Sequence, residues 1–151
     1  MNLMSVLMFA ATLVTAPAFA HDGGHGPQLS DAGKQGGIVA PVIEAKDVKK
    51  GAHAEPAYKA EMVRTEDGTV HVFLYDTKMN ALEMGKFEAS ARGVVEFKKS
   101  KKWVKEGFPL KSEDGGYLGK APKVKAKPFN IDITFKDAGG REFLTAFDNL
   151  D

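Results

Sequence analysis

The sequence has no cysteine and only one tryptophan among its 151 residues. The missing cysteines exclude disulfides, thiolate metal sites and a cysteine nucleophile, so stability has to come from burial and hydrogen bonding. A formal net charge of +1 argues against a strongly cationic nucleic-acid binder, and we expect no nucleic-acid ligand. Because the chain also lacks a nucleophile elbow, an HExxH helix and a paired-carboxylate pattern, we predict that it is not an enzyme.

The first 20 residues contain no charged side chain. They form an apolar run that ends in Ala18-Phe19-Ala20, which is the small-x-small pattern of a signal-peptidase site. We therefore predict a signal peptide over residues 1–20 and a periplasmic or secreted mature protein without a transmembrane segment. Residues 21–34 are rich in glycine and polar residues, and this composition predicts a flexible arm.

Residues 35–151 show no long helical period and no internal repeat, and they are predicted to form one domain. About seven to eight short segments have strand-like patterns separated by turn signals. The central pair, residues 58–64 and 69–76, is joined by the hairpin dipeptide Asp67-Gly68. This spacing predicts an all-β fold, an Ig-like antiparallel β-sandwich that we expect to be a monomer. A jelly roll or a small barrel is the alternative, because pattern alone does not set strand order.

The predicted mature chain begins with a histidine, His21, followed by Asp22 and His25. A free α-amine and the Nδ1 atom of the same histidine can chelate one metal ion, and neutral nitrogen donors favour Cu(II). Asp22 and His25 are close enough in sequence to add a carboxylate and a second imidazole. The sequence thus predicts a transition-metal site on the arm, against the plainer interpretation of a soluble tail.

His71 and Met79 are further candidate metal ligands, because imidazole binds several transition metals and a thioether suits Cu(I). Strand alternation places Val70, Val72 and Leu74 on one face and His71 on the other. We therefore expect His71 to be a partly exposed sheet residue, and a role as a metal ligand is the alternative. Met79 follows in a turn, where its sulfur is expected to be within reach of an ion.

Residues 98–127 contain ten lysines and three acidic residues, with aromatic residues between them. Such a face suits an acidic partner or an anionic surface in the envelope. Lys101, Lys102, Trp103 and Lys105 form its densest part and are the predicted partner-binding residues. The alternative is that these lysines only keep strand edges soluble.

The chain between residues 58 and 91 resembles a known family. Tyr58, Glu61 and Val63 precede the predicted turn, and the run VHVFLYD and the pair Ala81-Leu82 follow it. In this pattern the chain resembles the small exported Ig-like β-sandwich domains of the YtkA type, which share their architecture with CopC-type periplasmic copper-binding proteins. The resemblance implies metal handling outside the cytoplasm, alongside heavy-metal efflux components, and a copper ligand at the mature N-terminal histidine.

Two functions follow from these patterns. The first is an exported, non-enzymatic β-sandwich protein that binds or buffers a transition metal, preferably copper as Cu(II) or Cu(I), through its N-terminal arm. The alternative is a structural or interaction domain that docks an envelope protein through its lysine and aromatic face.

Overall fold

Eight antiparallel β-strands close into a barrel in a computed structural model that describes residues 29–151. The predicted signal peptide and the first eight residues of the predicted arm lie outside the described residues. The strands are β1 (Ile38–Glu44), β2 (Tyr58–Arg64), β3 (Thr69–Tyr75), β4 (Ser90–Lys99), β5 (Lys102–Glu113), β6 (Gly116–Lys120), β7 (Phe129–Lys136) and β8 (Glu142–Leu150). Around the barrel their order is β1-β2-β3-β6-β5-β4-β7-β8.

The predicted all-β fold is confirmed, but the Ig-like sandwich is wrong. One residue of β1, Val42, is in register with Tyr58 of β2 and with Thr145 of β8, so the first and last strands close a single sheet. A sandwich would instead have two separate sheets, each with its own edge strands. Alternation along a strand indicates which residues face the core. It does not indicate which strands are neighbours, so the pattern could not show that the sheet closes into a barrel.

The predicted central hairpin is formed by β2 and β3, which pair from Lys59↔Tyr75 to Arg64↔Val70. Gly68 adopts φ 91°, a conformation that glycine accepts freely. The Asp67 carboxylate accepts hydrogen bonds from the Thr65 hydroxyl and from Thr69, and these bonds hold its pKa well below the ordinary range. The turn is therefore specified by its own side chains.

The barrel interior is filled by apolar side chains from all eight strands. Around Phe135 the rings of Tyr117, Phe143 and Phe87 have centroids 5.6, 5.6 and 5.7 Å away, within the range of favourable aromatic pairs. Burial and the nearby Glu88 raise the pKa of Tyr117 to about 12, and its hydroxyl donates to the Glu88 carbonyl at 2.7 Å. The core also includes Ala40, Val42, Ala60, Met62, Val70, Val72, Leu74, Val95, Phe108, Leu110, Phe129, Ile131, Ile133, Phe147 and Leu150.

Two short 3-10 segments complete the domain. Ala45–His53 follows β1 and packs on β1 and β8, and Met84–Lys86 lies between β3 and β4. None of the helical segments in residues 29–151 has the length and apolar character needed to cross a bilayer.

Candidate functional site

The β4–β5 hairpin projects beyond the rest of the barrel. Its strands are the longest of the described chain, 10 and 12 residues, and they stay paired from Ser90↔Lys111 to Lys99↔Lys102. The neighbouring strand β7 stops pairing with β4 at Phe97. Residues 98–103 therefore extend past the pairing with β7, and we call them, together with the adjoining Val104 and Lys105, the hairpin tip (residues 98–105).

The turn at the hairpin tip has an unusual backbone for its sequence. Ser100 has φ 50° and Lys101 has φ 65°, so two consecutive residues other than glycine occupy the left-handed region. Two-residue hairpin turns with this geometry usually use Asn-Gly. A side chain other than glycine, asparagine or aspartate costs roughly 1–2 kcal/mol in this region. The tip thus keeps a lysine at a position where the backbone favours glycine.

The side chains of the hairpin tip make an exposed cationic surface around the single tryptophan. Trp103 is 40% exposed, and the Lys98 Nζ atom lies 5.3 Å from its ring centroid. Lys105 forms an ion pair with Glu96, whose side chain is nearly buried. The five lysines of the tip, all exposed, are Lys98, Lys99, Lys101, Lys102 and Lys105. The four residues that the sequence predicted to bind a partner are neighbours in the chain and all lie in the hairpin tip, and their role in binding stays a prediction.

An open groove of about 570 Å³ continues this surface along the outside of β4, β7 and β8. Lys105 lines it beside its ion-pair partner Glu96, so the groove and the hairpin tip share one residue. Its charged lining has both signs: Arg92, Lys105 and Lys136 face Glu88, Glu96, Asp132 and Glu142. This mixed lining favours no single ion, and the groove is an extension of the tip surface.

The opposite side of the barrel carries a buried charge. Glu61 lies on the outer face of β2, because its neighbours Ala60 and Met62 point into the core, yet it is 0% exposed. Its carboxylate accepts backbone N–H bonds from Lys34, Gln35 and Gly37 at 2.8, 2.7 and 2.8 Å and the Tyr75 hydroxyl at 2.9 Å. We call the carboxylate and residues 31–37 the Glu61 clamp.

Two opposing effects act on the pKa of Glu61. Burial alone would raise it, but the backbone N–H groups of Gly37, Gln35 and Lys34 and the Tyr75 hydroxyl favour the charged form, and the pKa is lowered overall. A second contact, the ion pair between Lys59 and Asp31 at 2.7 Å, fixes the start of the clamp. The clamp thus fixes the place where the arm joins the barrel.

The clamp also depends on glycine, because its backbone approaches β2 closely. A Cβ atom on Gly37 would lie 2.4 Å from the Met62 carbonyl oxygen, and one on Gly33 would lie 2.3 Å from Glu61 Oε1 and 2.7 Å from the Gly37 carbonyl oxygen. Only glycine fits at these positions without movement of the backbone. Gly33 lies in the segment 21–34 that was predicted to be a flexible arm, and in the structure it packs closely against Glu61.

The predicted metal ligands are not assembled by the described chain. His21, Asp22 and His25 lie outside it. His71 is half-buried on the outer face of β3, with its ring 3.8 Å from that of Phe73, and Met79 is 8% exposed in the turn after β3. Residues 29–151 contain no group of three or more His, Cys, Asp or Glu side chains placed to hold a metal ion. A metal site on the arm therefore stays a prediction.

Glu61 is the residue that sequence reasoning missed as a determinant of structure. In the strand pattern it occupies an outward position, where a glutamate is ordinarily solvated. The signal that could have indicated its burial is the glycine pair Gly36-Gly37 shortly before β1, because glycines allow a backbone to wrap closely around an anion.

The comparisons identify no relative. The chain matches no protein-family model, no curated protein and no solved structure. The resemblance to YtkA-type and CopC-type proteins therefore stays a prediction.

Proposed function

We propose that this protein is an exported, non-enzymatic binding protein whose hairpin tip docks onto an acidic segment of a partner protein in the cell envelope. The observation that supports the proposal is the hairpin tip itself, which carries five exposed lysines and a partly exposed tryptophan, with the Lys98 Nζ atom over the tryptophan ring. Within residues 29–151, Lys101 and Lys102 form no ion pair, so an incoming carboxylate would not have to displace an internal partner. Complementary charge speeds association and selects partners, and the tryptophan supplies contact area.

The test uses an acidic peptide of alternating glycine and glutamate, with its glutamine version as the neutral control. Trp103 is the only tryptophan, so its fluorescence reports binding at the tip alone. We expect the acidic peptide to bind, and raising the ionic strength from about 0.1 M to about 1 M to weaken it as the Debye length falls from roughly 10 to 3 Å.

Charge reversal of Lys101 and Lys102 to glutamate should reduce the affinity at least about tenfold, equivalent to about 1.4 kcal/mol. The matched control reverses Lys49 and Lys78, which are exposed lysines outside the tip. Equal losses in the two double variants would overturn the proposal. Binding of vesicles rich in anionic lipid without binding of the peptide would also overturn it, in favour of a membrane surface.

A second candidate function is transition-metal binding by the arm, preferably of copper. It is supported by the histidine at the predicted mature N-terminus and by His25 four positions later. Calorimetric titration of Cu(II) should show tight binding to protein that begins at His21. Protein with one additional residue before His21 should bind much more weakly, and equal weak affinity of the two forms would contradict the amine chelate.

A further inference from the structure

The connection between β6 and β7 runs along the end of the barrel from which the hairpin tip projects. It consists of residues 121–128, which we call the β6–β7 loop. In the barrel order β5 and β4 stand between β6 and β7, so the loop passes the ends of the two strands that form the tip. Phe129 follows the loop and pairs with Phe97, which precedes Lys98, and this register places the end of the loop next to the start of the tip.

The β6–β7 loop is anchored to the barrel. Ala121 is buried and donates its N–H group to the Gly68 carbonyl at 2.9 Å, and Val124 packs against the side chains of the core. Pro122, Val124 and Ala126 are half-buried, and they alternate with three exposed lysines, Lys123, Lys125 and Lys127. The anchored backbone therefore presents a row of three lysines to solvent.

This lysine row continues the cationic surface of the hairpin tip. The tip contains five lysines and the loop three, and neither segment contains an acidic residue. Within residues 29–151 none of the three loop lysines forms an ion pair. Asp67, in the turn that contacts Ala121, is already bound by Lys120 at 3.3 Å. The other acidic residues in the adjoining segments are fewer than the eight lysines: Glu66, Glu106, Asp148 and Asp151. The two segments together thus form one surface that suits an anionic partner.

A second copy of this chain does not supply a matching acidic segment. No five consecutive residues within 29–151 contain more than two acidic side chains. At the opposite end of the barrel several carboxylates already form ion pairs with neighbouring basic side chains, namely Glu44, Asp47, Glu83 and Asp137. A segment of another protein can instead place a carboxylate at every second position, which is the spacing of the loop lysines.

We propose that the acidic segment of the partner crosses from the hairpin tip onto the β6–β7 loop, so that both segments bind it at once. The inference rests on the proposed docking function and extends its surface. From Lys123 to Lys127 the loop spans at most about 13 Å, from Lys98 to Lys101 the tip spans at most about 10 Å, and one strand spacing of about 5 Å separates them. A segment that reaches both therefore needs about nine residues in extended form. Two contacts on one chain give a higher affinity than either contact alone.

The test uses two peptides of alternating glutamate and glycine, one of six residues and one of twelve. The shorter peptide extends over about 20 Å and reaches one of the two segments at a time, whereas the longer extends over about 40 Å and reaches both. Calorimetric titration measures both affinities, and we expect the longer peptide to bind the wild type at least about tenfold more tightly. Glutamine versions of the two peptides are the neutral controls.

Neutralising the loop lysines should remove this gain. In the triple variant Lys123→Gln, Lys125→Gln and Lys127→Gln, the affinities of the two peptides should differ by less than about threefold. The matched control is the triple variant Lys49→Gln, Lys78→Gln and Lys111→Gln, which replaces three exposed lysines outside both segments. It lowers the net charge by the same amount and should keep the tenfold gain.

Amide chemical shifts measured by NMR on the unaltered protein give the second readout, which does not depend on the folding of a variant. The longer peptide should shift the signals of residues 98–102 and of residues 123–127 together, with one titration midpoint. Shifts at the tip alone, or an equal loss of the gain in the two triple variants, overturn the contact with the loop and leave docking at the tip intact. Self-association of the wild type in sedimentation experiments, absent from the loop variant, would also overturn it, in favour of an interface between copies. Absence of binding by either peptide overturns the docking function as well.

Discussion

The Glu61 clamp and the hairpin tip both place charge on the outer surface of the barrel, but they treat it in opposite ways. At the clamp a single carboxylate is fully buried and receives four hydrogen bonds from the protein itself. At the tip five lysines are exposed, and of these only Lys105 forms an ion pair within residues 29–151. A buried charge that is hydrogen-bonded within the protein stabilises the fold, whereas a solvent-exposed charge without an internal ion pair is available to bind a partner.

The largest effect should come from removing the acceptor at the centre of the clamp. In Glu61→Ala three backbone N–H groups and the Tyr75 hydroxyl lose their partner, and we expect the free energy of unfolding to fall by about 2–4 kcal/mol. Urea denaturation measures it. Glu66→Ala, in the exposed turn between β2 and β3, is the control and should stay within about 0.5 kcal/mol of the wild type. Similar values for the two variants would show that the clamp does not stabilise the barrel.

The sequence indicates the lysine cluster of the hairpin tip but not the burial of Glu61. The β2–β3 hairpin was identified from Asp67-Gly68, because a turn dipeptide is a local pattern, and the cluster of lysines around Trp103 is also visible locally, although its role in binding stays a prediction. Glu61 was missed because its burial depends on residues 34–37, which are more than 20 positions away in the chain. Barrel closure was missed for the same reason, since the contact of β1 with β8 joins the two ends of the described domain.

A smaller effect should follow from adding one methyl group to the clamp. In Gly37→Ala the new Cβ atom would meet the Met62 carbonyl oxygen, so the clamp backbone has to move, and we expect a loss of about 1–3 kcal/mol. Gly85→Ala is the matched control, because a Cβ atom there has no heavy atom within 4 Å. Thermal unfolding followed by circular dichroism compares the two. A loss confined to Gly37→Ala is expected, and equal melting temperatures would contradict the close approach.

Acid should weaken the clamp, because its central group is a carboxylate. Since the pKa of Glu61 is lower in the folded protein than its ordinary value of 4.5, its stabilising contribution is complete above that value and is lost as the pH falls through the folded pKa. We expect the stability of the wild type to decline more steeply below about pH 4.5 than that of Glu61→Gln, which has no proton to bind at this position. Urea titrations between about pH 3 and pH 7 measure both. Parallel curves would assign the acid sensitivity to other carboxylates, such as Asp137, whose pKa is also lowered.

The smallest effect should be a gain in stability at the tip. Glycine accepts the φ of 65° at Lys101 without strain, so Lys101→Gly should raise the free energy of unfolding by about 0.5–1 kcal/mol after its greater unfolded-state entropy is subtracted. The same variant removes one lysine from the tip and should bind the acidic peptide more weakly.

The matched control for this change is Ser100→Gly, which removes the backbone strain at the neighbouring residue, where φ is 50°, and keeps every lysine. It should gain similar stability and bind the peptide as the wild type does. If it also lost affinity, the shape of the turn rather than the charge of Lys101 would govern docking. If Lys101→Gly gained stability and kept its full affinity, the strained lysine would have no part in binding. We expect only Lys101→Gly to combine a gain in stability with a loss of binding. This result would show that the strained Lys101 costs stability and contributes to binding of the partner.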